Sequence, residues 1–260
     1  MTNPTYASDL TERQWHLIKE LLPPAKRGGR PRTVCLRAVL NALLYLLVAG
    51  CAWKMLPANY PHWRTVYGYF RAWQVDGTME RVHGKLRRYT RRAAGKRARP
   101  TAASVDSQCV KSTALAGPRG FDAFKKVKGR KRHIVVDTLG LLLAMVVTPA
   151  NVSDTAGAKQ LFPLLARCAH RLKRIWCDGG YFEGAFEQAR AHHLTLELVQ
   201  RPQGHKGFYL LAKRWVVERT FAWLTCCRRL AREYERTICA SHAFVLLAMT
   251  RIMLNRLAPR

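Results

Sequence analysis

The chain has 260 residues, and its 45 Lys and Arg against 16 Asp and Glu give a formal net charge of +29. An excess of that size repels itself unless a polyanion neutralises it, so nucleic acid is the first expected partner and an anionic membrane the second. With 48% apolar residues a packed core is available, which excludes wholesale disorder.

The N-terminal residues 1–10 are polar and carry no secretory pattern. The first helix is predicted where Leu10, Trp15, Leu17, Ile18, Leu21 and Leu22 recur, with Pro23-Pro24 ending it. Residues 26–32 follow as a basic turn. Arg30 and Arg32 there read either as a solvated loop or as an arm on DNA. A second helix is expected over 34–49. The apolar run 38–53, interrupted by Asn41, is short for a membrane span and reads as a buried helix, so no membrane partner is expected. Residues 62–73 predict a third helix with Trp63, Tyr67 and Phe70 on a core face, and Arg64 and Arg71 on others. A fourth covers 78–90. This helical part has room for a helix-turn-helix with 62–71 as the recognition helix, or is a plain bundle. The basic stretch 87–99 reads as a linker, which divides the chain into a helical DNA-binding region, 1–99, and a second domain, 100–260.

Beyond Pro100 the pattern changes. Strands are expected over 102–110, 130–138 and 141–148, the last two joined at Leu139-Gly140. Asp154 is read as the cap of a helix to about 171. A buried strand at 175–177, a helix over 183–193 and a strand over 194–199 follow. After a basic loop at 201–207, a long helix spans 210–235 and a last one 241–257. This order indicates an α/β domain with a mixed sheet. None of the eight cysteines forms a CxxC pair, so they read as reduced thiols of a cytoplasmic protein rather than zinc ligands.

Acids are scarce, so their placement is informative. Asp106 lies in or at the end of the first strand. Asp178 follows the strand Ile175-Trp176-Cys177 and precedes Gly179-Gly180. Glu218 sits in a largely apolar helix. Burying carboxylates costs several kcal/mol unless they are paired or bind metal. Three hard oxygen donors converging on one sheet edge suit Mg2+ or Mn2+, and two such ions serve phosphodiester chemistry. Each acid also has an ordinary reading. Asp178 fits a turn, and Glu218 can pair with Arg214 one helical turn away. Asp137 reads as a turn residue or a further ligand. His133, among Lys131 and Arg132, reads as a phosphate contact or an edge residue, and His192-His193 as surface.

The whole chain resembles the IS5 group of bacterial insertion-sequence transposases, within the wider IS4/IS5 class. The matching segments include Arg27-Gly28-Gly29-Arg30-Pro31-Arg32, Gly50-Cys51-Ala52-Trp53, Val105-Asp106-Ser107, Lys128-Gly129-Arg130-Lys131-Arg132-His133, Cys177-Asp178-Gly179-Gly180-Tyr181 and Arg214-Trp215-Val216-Val217-Glu218-Arg219. The resemblance implies an RNase H-like catalytic fold after the helical region. It implies that Asp106, Asp178 and Glu218 form a DDE triad holding two Mg2+ or Mn2+ ions. The family's tyrosine and lysine positions around the glutamate are Leu211 and Thr225 here, which are departures. The resemblance further implies binding to terminal inverted repeats and target DNA, cleavage at the element ends, and joining of the 3′-OH to target DNA. A homodimer or larger synaptic complex is expected in the bacterial cytoplasm, at the nucleoid. Lys128, Arg130, Lys131, Arg132, His133, Arg214 and Arg219, with Arg30, Arg32, Arg64 and Arg71, are the expected DNA contacts. Two alternatives are an RNase H-like nuclease without strand transfer and an inactive DNA-binding repressor.

Overall fold

Thr11 starts the first helix with a reciprocal cap. Its hydroxyl accepts from Gln14 N, and the Gln14 side chain accepts from Thr11 N. This satisfies two of the orphan donors at a helix start. The computed structural model describes residues 6–25, 28, 31–114, 117–200 and 211–260. Arg30 and the basic loop 201–207 lie outside the described residues. The chain forms two compact units. One comprises the described residues of Met1–Lys96, Cys226–Ala231 and Ala243–Arg260; the other comprises those of Arg97–Thr225 and Arg232–His242. The expected division placed everything beyond 100 in one domain, whereas two of these C-terminal segments pack with the helical unit.

In the helical unit, α1 (Glu12–Ile18) tightens into a 3-10 turn (Lys19–Leu21) before the prolines. α2 (Leu36–Ala49) ends at Gly50, whose φ of 71° suits a residue without a side chain. α3 (Trp63–Val75) and α4 (Thr78–Ala93) are linked only by Asp76-Gly77. On α3 the buried face is Val66, Phe70 and Trp73, while Tyr67 is exposed, so the expected face is rotated. Phe70 meets Phe244 of the last helix at 4.7 Å, while Tyr67 sits against Trp53 at 5.1 Å. Residues 50–62 separate α2 from α3, far more than the roughly three- to four-residue turn of a helix-turn-helix. The recognition-helix reading of α3 therefore rests on its exposed Arg64 and Arg71.

The second unit holds the sheet: β1 (Ala102–Lys111), β2 (Gly120–Asp122), β3 (Val127–Asp137), β4 (Leu142–Pro149), β5 (Arg174–Cys177) and β6 (Thr195–Leu198). β1 lies between β3, antiparallel, and β5, parallel; β6 extends β5 in parallel, while β2 and β4 pair with β3. α5 (Asp154–Cys168) and α6 (Glu183–Ala191) cover one face with Leu161, Phe162, Leu165, Ala185 and Ala189 buried against Val105, Val135 and Ile175. α7 (Ala212–Thr225) packs on β1, β3 and β5. This is the RNase H-like mixed sheet behind a helical region.

Four expectations shift. β2 was not expected; at three residues it is too short for alternation to register. The cap of α5 is Ser153, whose hydroxyl accepts from Ala156 N at 3.2 Å, which frees the Asp154 carboxylate. The long helix 210–235 is interrupted: α7 stops at Thr225, a short α8 (Arg228–Ala231) follows, and α9 (Ile238–Leu257) begins early. The cause is Glu233, which is 1% exposed. It bridges to the sheet beside Ser112 and lies 3.6 Å from Arg130, 3.5 Å from Arg132 and 2.6 Å from the Ser241 hydroxyl. A continuous helix cannot deliver it there. Among the described residues α9 is long and apolar enough to cross a membrane, and most of it is buried within the protein.

Candidate active site

Strand register brings the two aspartates together. In the parallel pair Ser104 is opposite Trp176, so two residues on, past the last paired rung, Asp106 in the middle of β1 and Asp178 just beyond the end of β5 come level. Adjacent strands lie about 4.8 Å apart, so the carboxylates crowd. Each is fixed by a local donor: Ser107 N gives 2.6 Å to Asp106 Oδ1, and Gly180 N gives 3.0 Å to Asp178 Oδ1. α7 adds the third acid. The Ser104 hydroxyl donates to Lys213 O at 2.5 Å and anchors the start of that helix on β1.

The three acids converge on one nitrogen. Arg214 Nη2 lies 3.6 Å from Asp106 Oδ2, 3.1 Å from Asp178 Oδ2 and 3.5 Å from Glu218 Oε1. Glu218 is half exposed, while Asp106 is largely buried. Burial, opposed by the Ser107 amide and reinforced by the charge of Asp178, raises the Asp106 pKa to about 6. Among the described residues no three carboxylate, histidine or cysteine groups form a closed metal cage, since the guanidinium stands between these acids. The donor set nevertheless fits a hard divalent cation. It consists of carboxylate oxygens, and all three already stabilise positive charge at a single point.

A second layer was missed by the sequence reading. The Ser107 hydroxyl donates to Asp154 Oδ1 at 2.6 Å, and Lys131 Nζ lies 3.4 Å from that oxygen and 3.2 Å from Asp122 Oδ2. Tyr181 is buried, and its hydroxyl has no hydrogen-bond partner among the described residues. Burial first, then the charges of Asp106, Asp154 and Asp178, push its pKa well above the ordinary tyrosine value. A buried hydroxyl held near three carboxylates has an open donor for a group bound at the site. The available signal was the scarcity of acids, which made Asp154 informative; it was spent on a helix cap.

The expected DNA contacts separate into two groups. Arg130 and Arg132 are fully buried and pair with Glu233, and Lys131 and His133 are buried against Asp154. Phosphate has no surface to reach on these four, which corrects the expectation. Burial lowers the His133 pKa to about 4 despite Asp154, so it is neutral at pH 7. Lys128, Arg32, Arg64 and Arg71 are exposed. Arg219 stacks between Trp215 and Trp223, 4.6 Å from each ring. Asp137 accepts from Leu139 N and Leu141 N, so it is a turn residue of the β3–β4 hairpin. Leu211 and Thr225 bound α7 on either side, and the Thr225 hydroxyl donates to Ala222 O within that helix.

Comparison with known proteins gives consistent matches. Residues 75–253 match the family described as "Transposase DDE domain", and residues 10–83 match "Putative transposase of IS4/5 family". A relative from Burkholderia cepacia, "Putative transposase for insertion sequence element IS402", is 34% identical over 151 residues, which is 54% of this chain and 69% of that protein. A second protein from the same organism, "Insertion element IS402 uncharacterized 16.2 kDa protein", is 37% identical over 82 residues, covering 28% of this chain and 53% of its own length.

Proposed function

The chain belongs to the IS4/5 family of DDE transposases, and from that premise we propose that it cuts DNA at the ends of its insertion sequence and joins the freed 3′-OH to target DNA. The observation that carries this reading is the convergence of Asp106, Asp178 and Glu218 on Arg214. In the proposal these three acids hold two Mg2+ or Mn2+ ions. When bound, such ions activate an attacking oxygen and stabilise the leaving one. The protein's own part is positional. Backbone amides fix the two aspartates before DNA arrives, which removes reorganisation from the reaction. Arg214 offers a guanidinium fork to the phosphate beside the carboxylates, and Arg219, braced by two indoles, lies on the same helix. Exposed Lys128, Arg64 and Arg71 contact flanking phosphates. Joining two ends calls for a dimer or larger synaptic complex, working on bacterial chromosomal DNA.

The test supplies a duplex carrying one border of the element, a target plasmid and Mg2+. Cleavage and joining are expected, with Asp178→Asn losing both by at least about a hundredfold, the scale of lost charge stabilisation in such sites. Joining by Asp178→Asn at the wild-type rate would overturn the site. Cleavage with no joined product from a pre-cut 3′-OH end would make the protein a nuclease without strand transfer.

A further inference from the structure

The β2–β3 hairpin carries an aromatic ring in an unusual setting. Its turn, residues 123–126, presents Phe124 with 93% of its surface in solvent, and Phe121 on β2 is 55% exposed. A lone exposed apolar residue is ordinary. This one is held rigidly. Asp122, 7% exposed, accepts from Lys125 N at 2.9 Å and from Cys109 Sγ at 2.9 Å, and pairs with Lys131 Nζ at 3.2 Å. Lys126 closes the turn at φ 51°, a left-handed conformation costly for a non-glycine residue. The hairpin also reaches the catalytic strand: Lys125 Nζ donates to Ser107 O at 3.5 Å, one residue from Asp106, and its charge acts on the Asp106 carboxyl. Lys125, Lys126 and Lys128 follow it closely in the chain and are exposed.

An exposed apolar tip followed by lysines, on a hairpin whose Lys125 reaches the strand of Asp106, has the chemistry of a wedge. We propose that Phe124 inserts at the base step next to the scissile phosphate and unstacks it, while Lys125 and Lys126 hold the flanking phosphates. Apolar side chains that enter base steps kink duplex DNA in this way. The same three lysines repel a second copy of a chain with net charge +29, which favours DNA as the occupant. The inference rests on the DNA-end reading above.

The test uses the full chain and a border duplex with 2-aminopurine at the step beside the cleavage site. Wild type is expected to raise the fluorescence on binding, Phe124→Trp to retain the rise, and Phe124→Ala to lose it. Phe124→Ala should also cleave the paired duplex at least about tenfold more slowly, and recover on a duplex mismatched at that step. Asp106→Asn should keep the rise and yield no product. If Asp106→Asn still cuts, the site reading fails, while the fluorescence continues to report on the wedge. No rise with wild type, equal cleavage of the paired duplex by Phe124→Ala, or a change confined to oligomeric state in Phe124→Ala would each overturn the wedge.

Discussion

Asp106 is held where burial makes its charge costly. Its folded pKa of about 6 lies above the ordinary 3.8, so between these values the native state keeps a proton that the unfolded chain has lost. Stability therefore falls as pH rises through that window, and the penalty is complete above it. The shift corresponds to about 3 kcal/mol at most at neutral pH. In chelator, Asp106→Asn is expected to melt several degrees above wild type at pH 7, with the difference vanishing near pH 4. Added Mg2+ should stabilise wild type and not the variant, as seen by thermal denaturation. That the three acids lie near one another was legible from their placement in the predicted elements and the family resemblance together. Their convergence on one arginine was not, because Arg214 was read as an i,i+4 partner of Glu218 and as a DNA contact, neither of which ties it to the two aspartates. Tyr181 and Asp154 were hidden for a related reason: their role depends on what the folded sheet brings near them.

The segment around Glu233 shows where helical periodicity misleads. Residues 210–235 carry a helical pattern, yet two buried guanidiniums draw one carboxylate out of it. Glu233→Leu leaves Arg130 and Arg132 buried without that carboxylate, a loss of about 3–5 kcal/mol. Urea unfolding should show the midpoint falling accordingly. Replacing all three by apolar residues of similar volume should restore most of it, since desolvation offsets most of what such clusters gain. The β3–β4 turn offers a second check. Gly140 has φ 77°, and a Cβ there would meet Thr220 Oγ1 and a Trp223 ring carbon at 2.8 Å. Gly140→Val is expected to destabilise by more than about 1 kcal/mol in the same assay. The hairpin itself was readable from Leu139-Gly140; β2 and the Ser153 cap were not, since short strands and neighbouring cap residues leave weak signals.

For the molecule as a whole, charge should dominate binding. Each phosphate neutralised contributes a slope of about −0.9 in log K against log salt. Lys128→Ala, Arg64→Ala and Arg71→Ala are each expected to reduce that slope by about one, measured by fluorescence anisotropy over a salt series. Composition alone announced such a partner; which basic residues face it required the fold, because Arg130 and Arg132 look identical in sequence to surface cations.

Both compact units are assembled from separated stretches of chain. The helical unit takes residues 243–260, where Gln14 Nε2 donates to Asn255 Oδ1 and Ala258 O, and the sheet unit takes 232–242 with its Glu233. A nascent chain is made from its N-terminus, so neither unit can close until this last stretch has left the ribosome. Unfinished or early-terminated products thus lack the parts that lock both cores. The order of synthesis delays closure of both units until residues 232–260 have been made.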